Sequence, residues 1–294
     1  MRLRIAWELS RPFTLVAPAL GIASGAVTAW GAQDGPAPTR NAIVGVALAT
    51  LAAALLNAGS NTLNQVADLE IDRINKPDRP LPSGRTTRRA ALVFCVAAYL
   101  VALALAFAVA LPAGVLFSAG ALLSVIYSIG PRTKRSWLLA NLTIALARGL
   151  FLKVAGWATV RPPDTAEPWL IGGVFALYTF GAINSKDFAD VEGDRAAGVR
   201  TAIVAHGARC AAWIGAPFFV LPFVAIPALA LAGLLTGDAW RLLALGLGLA
   251  LWGAYAAWLM LRDPDSLTSE NHPSWRHMYL IMFALQIGFA LAYV

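Results

Sequence analysis

The chain has 294 residues, 59% of them hydrophobic and only 13% charged, with a mean hydropathy of +0.66. That composition excludes a soluble domain of this size and describes a polytopic membrane protein. The net charge of +7 does not imply a nucleic-acid partner, because the Lys and Arg residues lie in short segments between apolar stretches and not on one basic face.

Arg2 and Arg4 precede an apolar run that superficially resembles a signal peptide, but similar runs follow and the first reads as a retained span. Stretches of membrane length extend from Pro12 to Trp30, Ala42 to Asn61, Ala90 to Ala110, Ala113 to Ile129, Trp137 to Val160, Pro168 to Ile183, Ala211 to Leu235, Trp240 to Leu261 and Met278 to Val294. The expectation is therefore all-α, with nine transmembrane helices. Leu111-Pro112-Ala113-Gly114 separates the third from the fourth, since proline removes a helical donor. Trp7, Trp30, Trp137, Trp157, Trp169, Trp240 and Trp275 fall at or near span ends, as interfacial anchors do.

Nine spans put the two termini on opposite faces. Of 23 Lys and Arg residues, 18 lie on the N-terminal side, three (Arg40, Arg161, Arg241) on the other, and Arg148 and Lys153 within the fifth span. This asymmetry places the N-terminus in the cytoplasm and the C-terminus opposite. Lys153 is near enough to the far end to snorkel. Cys95 and Cys210 have no metal-binding spacing and read as inert thiols, and His206, His272 and His277 are given no chemical role.

At the end of the second span, Asn57, Asn61, Asn64, Asp68 and Asp72 recur at steps of four, three, four and four, so one stripe of an Ala/Leu helix is polar. An ionised Asp at bilayer depth costs roughly 2.5 to 3.5 kcal/mol, and a bound cation removes that penalty. The phrase Asp68-Leu-Glu70-Ile-Asp72-Arg73 returns after the sixth span as Asp190-Val-Glu192-Gly-Asp194-Arg195, with Asn184 and Asp187 upstream. Two copies four helices apart with the same orientation suggest a parallel internal repeat within one domain, 1–294, and carboxylates facing each other across a central cavity.

Carboxylates without Cys or His suit Mg²⁺, which takes one or two of them and completes itself with water and phosphate. Four Asp, two Mg²⁺ and a diphosphate of about −3 leave roughly three positive charges for the protein to supply. Arg79, Lys134 and Arg135 are the candidates. Lys186 stands four residues before Asp190 and is either a substrate contact or that carboxylate's partner. Arg148 is eleven residues into its span, about 16 Å deep, where an ionisable group is a functional candidate; its structural alternative is pairing with Asn141 or a helix carbonyl. A polar head site opening on apolar helices suits an allylic diphosphate, whose carbon–oxygen bond breaks when the leaving oxygens are neutralised. A cation or proton-coupled transporter is the competing reading.

These residues resemble the UbiA family of intramembrane prenyltransferases. Asn64, Asp68 and Asp72 match its first aspartate motif and Asp190 and Asp194 its second; Asn75-Lys76-Pro77-Asp78-Arg79-Pro80-Leu81-Pro82-Ser83-Gly84, Tyr127-Ser128 with Lys134-Arg135, and Arg148-Gly149 extend the similarity. The resemblance implies nine helices around a cavity, a lateral opening to lipid, and a cap built by the loops after spans two, four and six. It implies Mg²⁺ held by Asp68, Asp72, Asp190 and Asp194 with support from Asn64, and a polyprenyl diphosphate bound by Arg79, Lys134 and Arg135. Asn61, Tyr127, Arg148 and Lys186 join the substrate contacts, and Asp187 positions or deprotonates a lipophilic or aromatic acceptor. The family also contains cyclases acting on the same diphosphate. The acidic run and the Asn-Lys-Pro-Asp-Arg-Pro loop look most like transferases for homogentisate, geranylgeranylglyceryl phosphate and chlorophyll-type acceptors, whereas Ile129-Gly130-Pro131 replaces the usual Pro-Pro after Tyr-Ser.

Overall fold

The computed structural model describes residues 1–268 and 272–294, with the side chains of Lys186 and Ala189 left outside the description. Its described residues are helical apart from connecting loops and one isolated bridge, Ser136 to Arg200. A surface helix, α1 (Leu3–Ser10), leads into α2 (Pro12–Gly31), α3 (Arg40–Ala67), the short α4 (Leu69–Asn75), α5 (Arg88–Val109), α6 (Leu111–Ser128), α7 (Trp137–Ala158) and α8 (Ala166–Ala182). A second short helix, α9 (Val191–Ala196), precedes α10 (Ala208–Leu231), α11 (Ala239–Arg262) and α12 (Pro273–Ala292).

Seven of these, and not the nine expected, are long and apolar enough to cross a bilayer. The two outside that set are α8, which has only 17 residues, and α12, whose first turns carry Arg276 and His277 and whose middle carries Gln286. The helix starts follow local chemistry. Thr39, Thr87 and Asp238 accept bonds from the amides of Ala42, Ala90 and Arg241 at 3.2, 3.2 and 2.8 Å. Between α5 and α6, Ala110 is extended and Pro112 sits in the first turn of the new helix, as its missing N–H allows.

The helices close into a ring: α3 packs on α5, α5 on α6, α7 on α2 and α8, α10 on α11, α11 on α12, and α12 returns to α2. Close approach depends on small residues. A Cβ on Gly25 would lie 2.5 Å from the Lys153 carbonyl, and one on Gly156 2.5 Å from the Ile22 carbonyl, so α2 and α7 meet backbone to backbone. Lys153 does not snorkel. It is 2% exposed, donates to Ser24 Oγ at 2.6 Å and lies 4.9 Å above the Phe175 ring, because α2, α8 and α12 enclose it. Trp157, also expected at an interface, is 2% exposed inside the same packing.

Both acidic motifs break their helices at the first aspartate. Asp68 has φ −105° and ψ 17°, and Asp190 has φ −105° and ψ 14°. The polar stripe of α3 therefore does not continue straight through Asp72, which belongs to the separate helix α4.

Candidate active site

The loops at the aspartate-bearing end are tied together by backbone bonds. Arg200 N donates to the Arg135 carbonyl at 3.0 Å and Trp137 N to the Arg200 carbonyl at 2.9 Å, joining the segment after α6 to the one after α9. Asn75, closing α4, accepts from Gly193 N at 3.1 Å and approaches the Asp190 carbonyl at 3.5 Å, so one amide bridges the two motifs. A Cβ on Gly193 would fall 2.3 Å from that amide, so a side chain there would push Asn75 out of the bridge.

Beneath this cap is a cavity of about 430 Å³. Asn61, Asn64, Asp68, Asp72, Arg79, Tyr127, Lys134, Arg148, Asp187, Asp190 and Asp194 all line it, so the residues singled out in sequence converge. Two do not belong to this group. Arg135 is exposed and absent from the wall; it lies on the outer side of a one-turn 3₁₀ helix while its neighbour Lys134 points inward and is 5% exposed. Lys186 has its side chain outside the described residues.

Each buried carboxylate of the first motif has its own base. Lys134 Nζ and Arg132 Nη2 both donate to Asp68 Oδ1, the latter at 2.9 Å, and Arg79 Nη1 straddles the two oxygens of Asp72 at 2.7 and 2.8 Å. Across the cavity Lys76 Nζ stands 3.6 Å from Asp190 Oδ1. Burial pushes the Asp72 carboxyl above its ordinary value against the opposing pull of Arg79, and the charge of Asp190 adds to the push. Both motifs line the same cavity, with Lys76 of the first arm against Asp190 of the second, so they stand face to face.

The donor set fits a hard divalent cation. The oxygens it would offer are those of carboxylates, and the buried Asn64 Oδ1 has no hydrogen-bond partner and could add one more. Among the described residues no three carboxylate, His or Cys groups converge on one point. Such pairs suit an ion that takes one or two carboxylates and completes its shell with phosphate and water, as Mg²⁺ does, and not a closed protein cage.

Several residues of the site were not singled out. Arg132, on a left-handed turn (φ 52°), reaches inward where Arg135, expected to bind the diphosphate, does not, and is the second base on Asp68. In the sequence Lys76 and Asn75 stand only within the longer Asn75–Gly84 run, and Arg11, immediately before Pro12, counts only as a topology charge. Asn61 reaches the cavity, yet its amide is committed to Ser10 O and Thr14 Oγ1, both at 2.8 Å. Asn141, the suggested partner of Arg148, bonds Asn184 Oδ1 at 2.8 Å and Phe180 O at 3.0 Å instead.

Similarity to known proteins covers the same span as this architecture. The Digeranylgeranylglyceryl phosphate synthase of Methanothermobacter thermautotrophicus is 30% identical over 249 residues, 85% of this chain and 83% of the relative. The enzyme of the same name from Halobacterium salinarum is 36% identical over 230 residues, covering 77% and 78%. The structure of a UbiA homolog from Archaeoglobus fulgidus bound to GPP and Mg²⁺ superposes with a TM-score of 0.78 at 20% identity, covering 98% of this chain and 99% of that one. The sequence model described as the UbiA prenyltransferase family matches residues 15–291. With its paired acidic motifs and a multi-pass membrane architecture, the chain belongs to the UbiA prenyltransferase family.

Proposed function

We propose that this chain, as one domain built of two pseudo-repeats, transfers a polyprenyl group from an isoprenyl diphosphate to a lipophilic acceptor within the bilayer, using Mg²⁺. The observation that carries the reading is the convergence of Asp68, Asp72, Asp190 and Asp194 on one cavity that also holds Arg79 and Lys134. Asp68, Asp72, Asp190 and Asp194 would hold the metal, supported by Asn64. Bound Mg²⁺ supplies Lewis-acid neutralisation of the leaving oxygens. Arg79 and Lys134 orient the diphosphate, while Ile71, Ile144, Ala147 and Ile183 give the wall an apolar part that keeps water from the allylic carbon. The allylic carbon–oxygen bond breaks with its electron pair leaving on the diphosphate, and the acceptor's nucleophilic atom forms the new bond to carbon. Asp187, on the cavity wall, receives the acceptor's proton.

The distribution of basic residues supports a cytoplasmic aspartate end, with the C-terminus on the opposite face. Among acceptors, the name shared by the relatives favours a glyceryl phosphate alcohol over an aromatic ring.

The test uses the purified protein in lipid nanodiscs with geranylgeranyl diphosphate, Mg²⁺ and a panel of homogentisate, 4-hydroxybenzoate and geranylgeranylglyceryl phosphate. The expected result is one prenylated adduct with an equal amount of released diphosphate, both stopped by EDTA. Cyclised hydrocarbon from the donor alone would replace the transferase by a cyclase; release of no diphosphate under any condition would reject the site.

A comparison of neighbouring arginines separates structure from sequence pattern. Arg132→Ala is expected to lower turnover by about 10- to 100-fold, the worth of a charge-assisted contact in a partly buried site. Arg135→Ala is expected to stay within about two-fold of the parent, since its side chain is exposed to solvent.

A further inference from the structure

Two arginines of the cavity make no hydrogen bond or ion pair with its carboxylates, although Arg11 feels the charge of Asp72 through space. Arg11 and Arg148 both line it, and among the described residues neither guanidinium makes a hydrogen bond or an ion pair. They contrast with Lys76, Arg79 and Lys134, each of which lies against an aspartate. Both side chains are open to the cavity, not packed away. They share a neighbour, Tyr279 of α12, which interacts electrostatically with each, and Arg11 also feels the charges of Arg79, Arg148 and Asp72.

The backbone is held out of its ordinary course at both places. Arg11 is left-handed, with φ 52° and ψ 68°, at the elbow between α1 and α2. Such a conformation for a non-glycine residue costs of order 1 to 3 kcal/mol and persists only where its surroundings enforce it. Here α3 enforces it: Asn61 Nδ2 grips Ser10 O and Thr14 Oγ1 at 2.8 Å, and Asn57 Nδ2 holds Thr14 O at 3.0 Å, on either side of Arg11. Arg148 lies at the middle of a π-helical stretch, Ala145–Phe151, within α7. The wider turn shifts the register of the side chains, and such stretches recur at functional sites. Its neighbour Gly149 presses against α8, where a Cβ would stand 2.5 Å from Ala176 Cα, so this stretch has no freedom to rotate.

Charge points the same way. Among described residues the cavity wall carries five bases (Arg11, Lys76, Arg79, Lys134, Arg148) and five acids (Asp68, Asp72, Asp187, Asp190, Asp194), which cancel. Two Mg²⁺ and a diphosphate of about −3 bring the loaded site to roughly +1. A neutral acceptor leaves that charge uncompensated, whereas a phosphate monoester of about −1.5 to −2 offsets it.

We propose that Arg11 and Arg148 form a second anion subsite, separate from the donor diphosphate, which receives a phosphate group carried by the acceptor. The inference rests on the prenyl-transfer reading and narrows its acceptor to a phosphorylated alcohol. Guanidinium forks suit the oxygens of a phosphate, and seating that group on α2 and α7 leaves the acceptor hydroxyl free to face the allylic carbon below the aspartates.

The test is equilibrium binding to the full chain in nanodiscs with EDTA present, so that no metal supports a diphosphate. The probes are geranylgeranylglyceryl phosphate, its phosphate-free alcohol, and inorganic phosphate as competitor. The parent is expected to bind the phosphorylated probe at least ~10-fold more tightly than the alcohol, and Arg11→Gln and Arg148→Gln each to remove most of that preference. Arg148→Lys, which keeps the charge without the fork, is expected to fall between. Competition by inorganic phosphate at equal concentration would show that the lipid tail contributes nothing, and would reassign the subsite to free phosphate.

Equal affinity of the parent for both lipids, or a preference kept in both glutamine variants, overturns the proposal. In turnover the same variants are expected to raise KM for the acceptor with KM for the donor unchanged; a rise confined to the donor reassigns both arginines to the diphosphate. Efficient transfer to a neutral acceptor would sink the subsite and leave prenyl transfer standing. Arginine-dependent binding of the phosphorylated lipid, with no transfer to any acceptor, would do the reverse.

Discussion

Replacing Asp68 with asparagine is expected to lower kcat/KM for prenyl transfer by about 10³-fold or more, equivalent to ~4 kcal/mol of lost transition-state stabilisation. The side chain keeps its shape but loses its charge, and it is the group on which Lys134 and Arg132 both converge. On the proposed reading the substitution weakens the hold on the metal, and it leaves two cations facing each other without a counter-charge in a nearly closed corner. Asp190→Asn, in the second acidic motif, is expected to produce a loss of the same order, because the proposal needs both motifs. Initial rates on protein whose thermal midpoint has been checked decide the matter: a variant at either position retaining more than about a tenth of the parent's kcat/KM removes that carboxylate from the chemistry.

The second large effect lies far from the chemistry. Gly156→Val places a branched side chain where a single Cβ already meets the Ile22 carbonyl at 2.5 Å and Gly25 Cα at 3.0 Å. Neither contact is with a flexible side-chain end, so α2 and α7 must separate. Overpacking of this kind costs about 1 to 3 kcal/mol or more, and the thermal midpoint in detergent is expected to fall by about 10 °C. Separation also unseats the bond between Lys153 and Ser24, leaving a charge buried among aromatic rings. A midpoint unchanged within about 2 °C would mean that the two helices tolerate separation, contrary to the close backbone contact.

Much of this was legible in the sequence because lipid imposes simple rules. Spans, their ends and the convergence of the two acidic motifs follow from apolar length and from a repeated phrase that no lipid-facing helix would carry. What escaped depends on backbone detail. The stripe Asn57, Asn61, Asn64, Asp68 reads as one polar face, yet Asn57 and Asn61 serve the α1–α2 elbow while Asn64 and Asp68 serve the cavity. Nothing in the spacing separates those duties, because the elbow comes from elsewhere in the chain.

Arg132, Lys134 and Arg135 were similarly indistinguishable by composition. A left-handed residue at Arg132 followed by a 3₁₀ turn sends the first two inward and the third outward. Helix counting was generous for α8 and α12, whose short length and polar first turns only show once the helix ends are placed.

The Asn75 bridge links parts of the chain that sequence distance keeps apart. By gripping Gly193 through its side chain while closing α4, it ties one acidic arm to the other, beside the contact of Lys76 with Asp190. Opening one arm without the other therefore requires the Asn75 contacts to break.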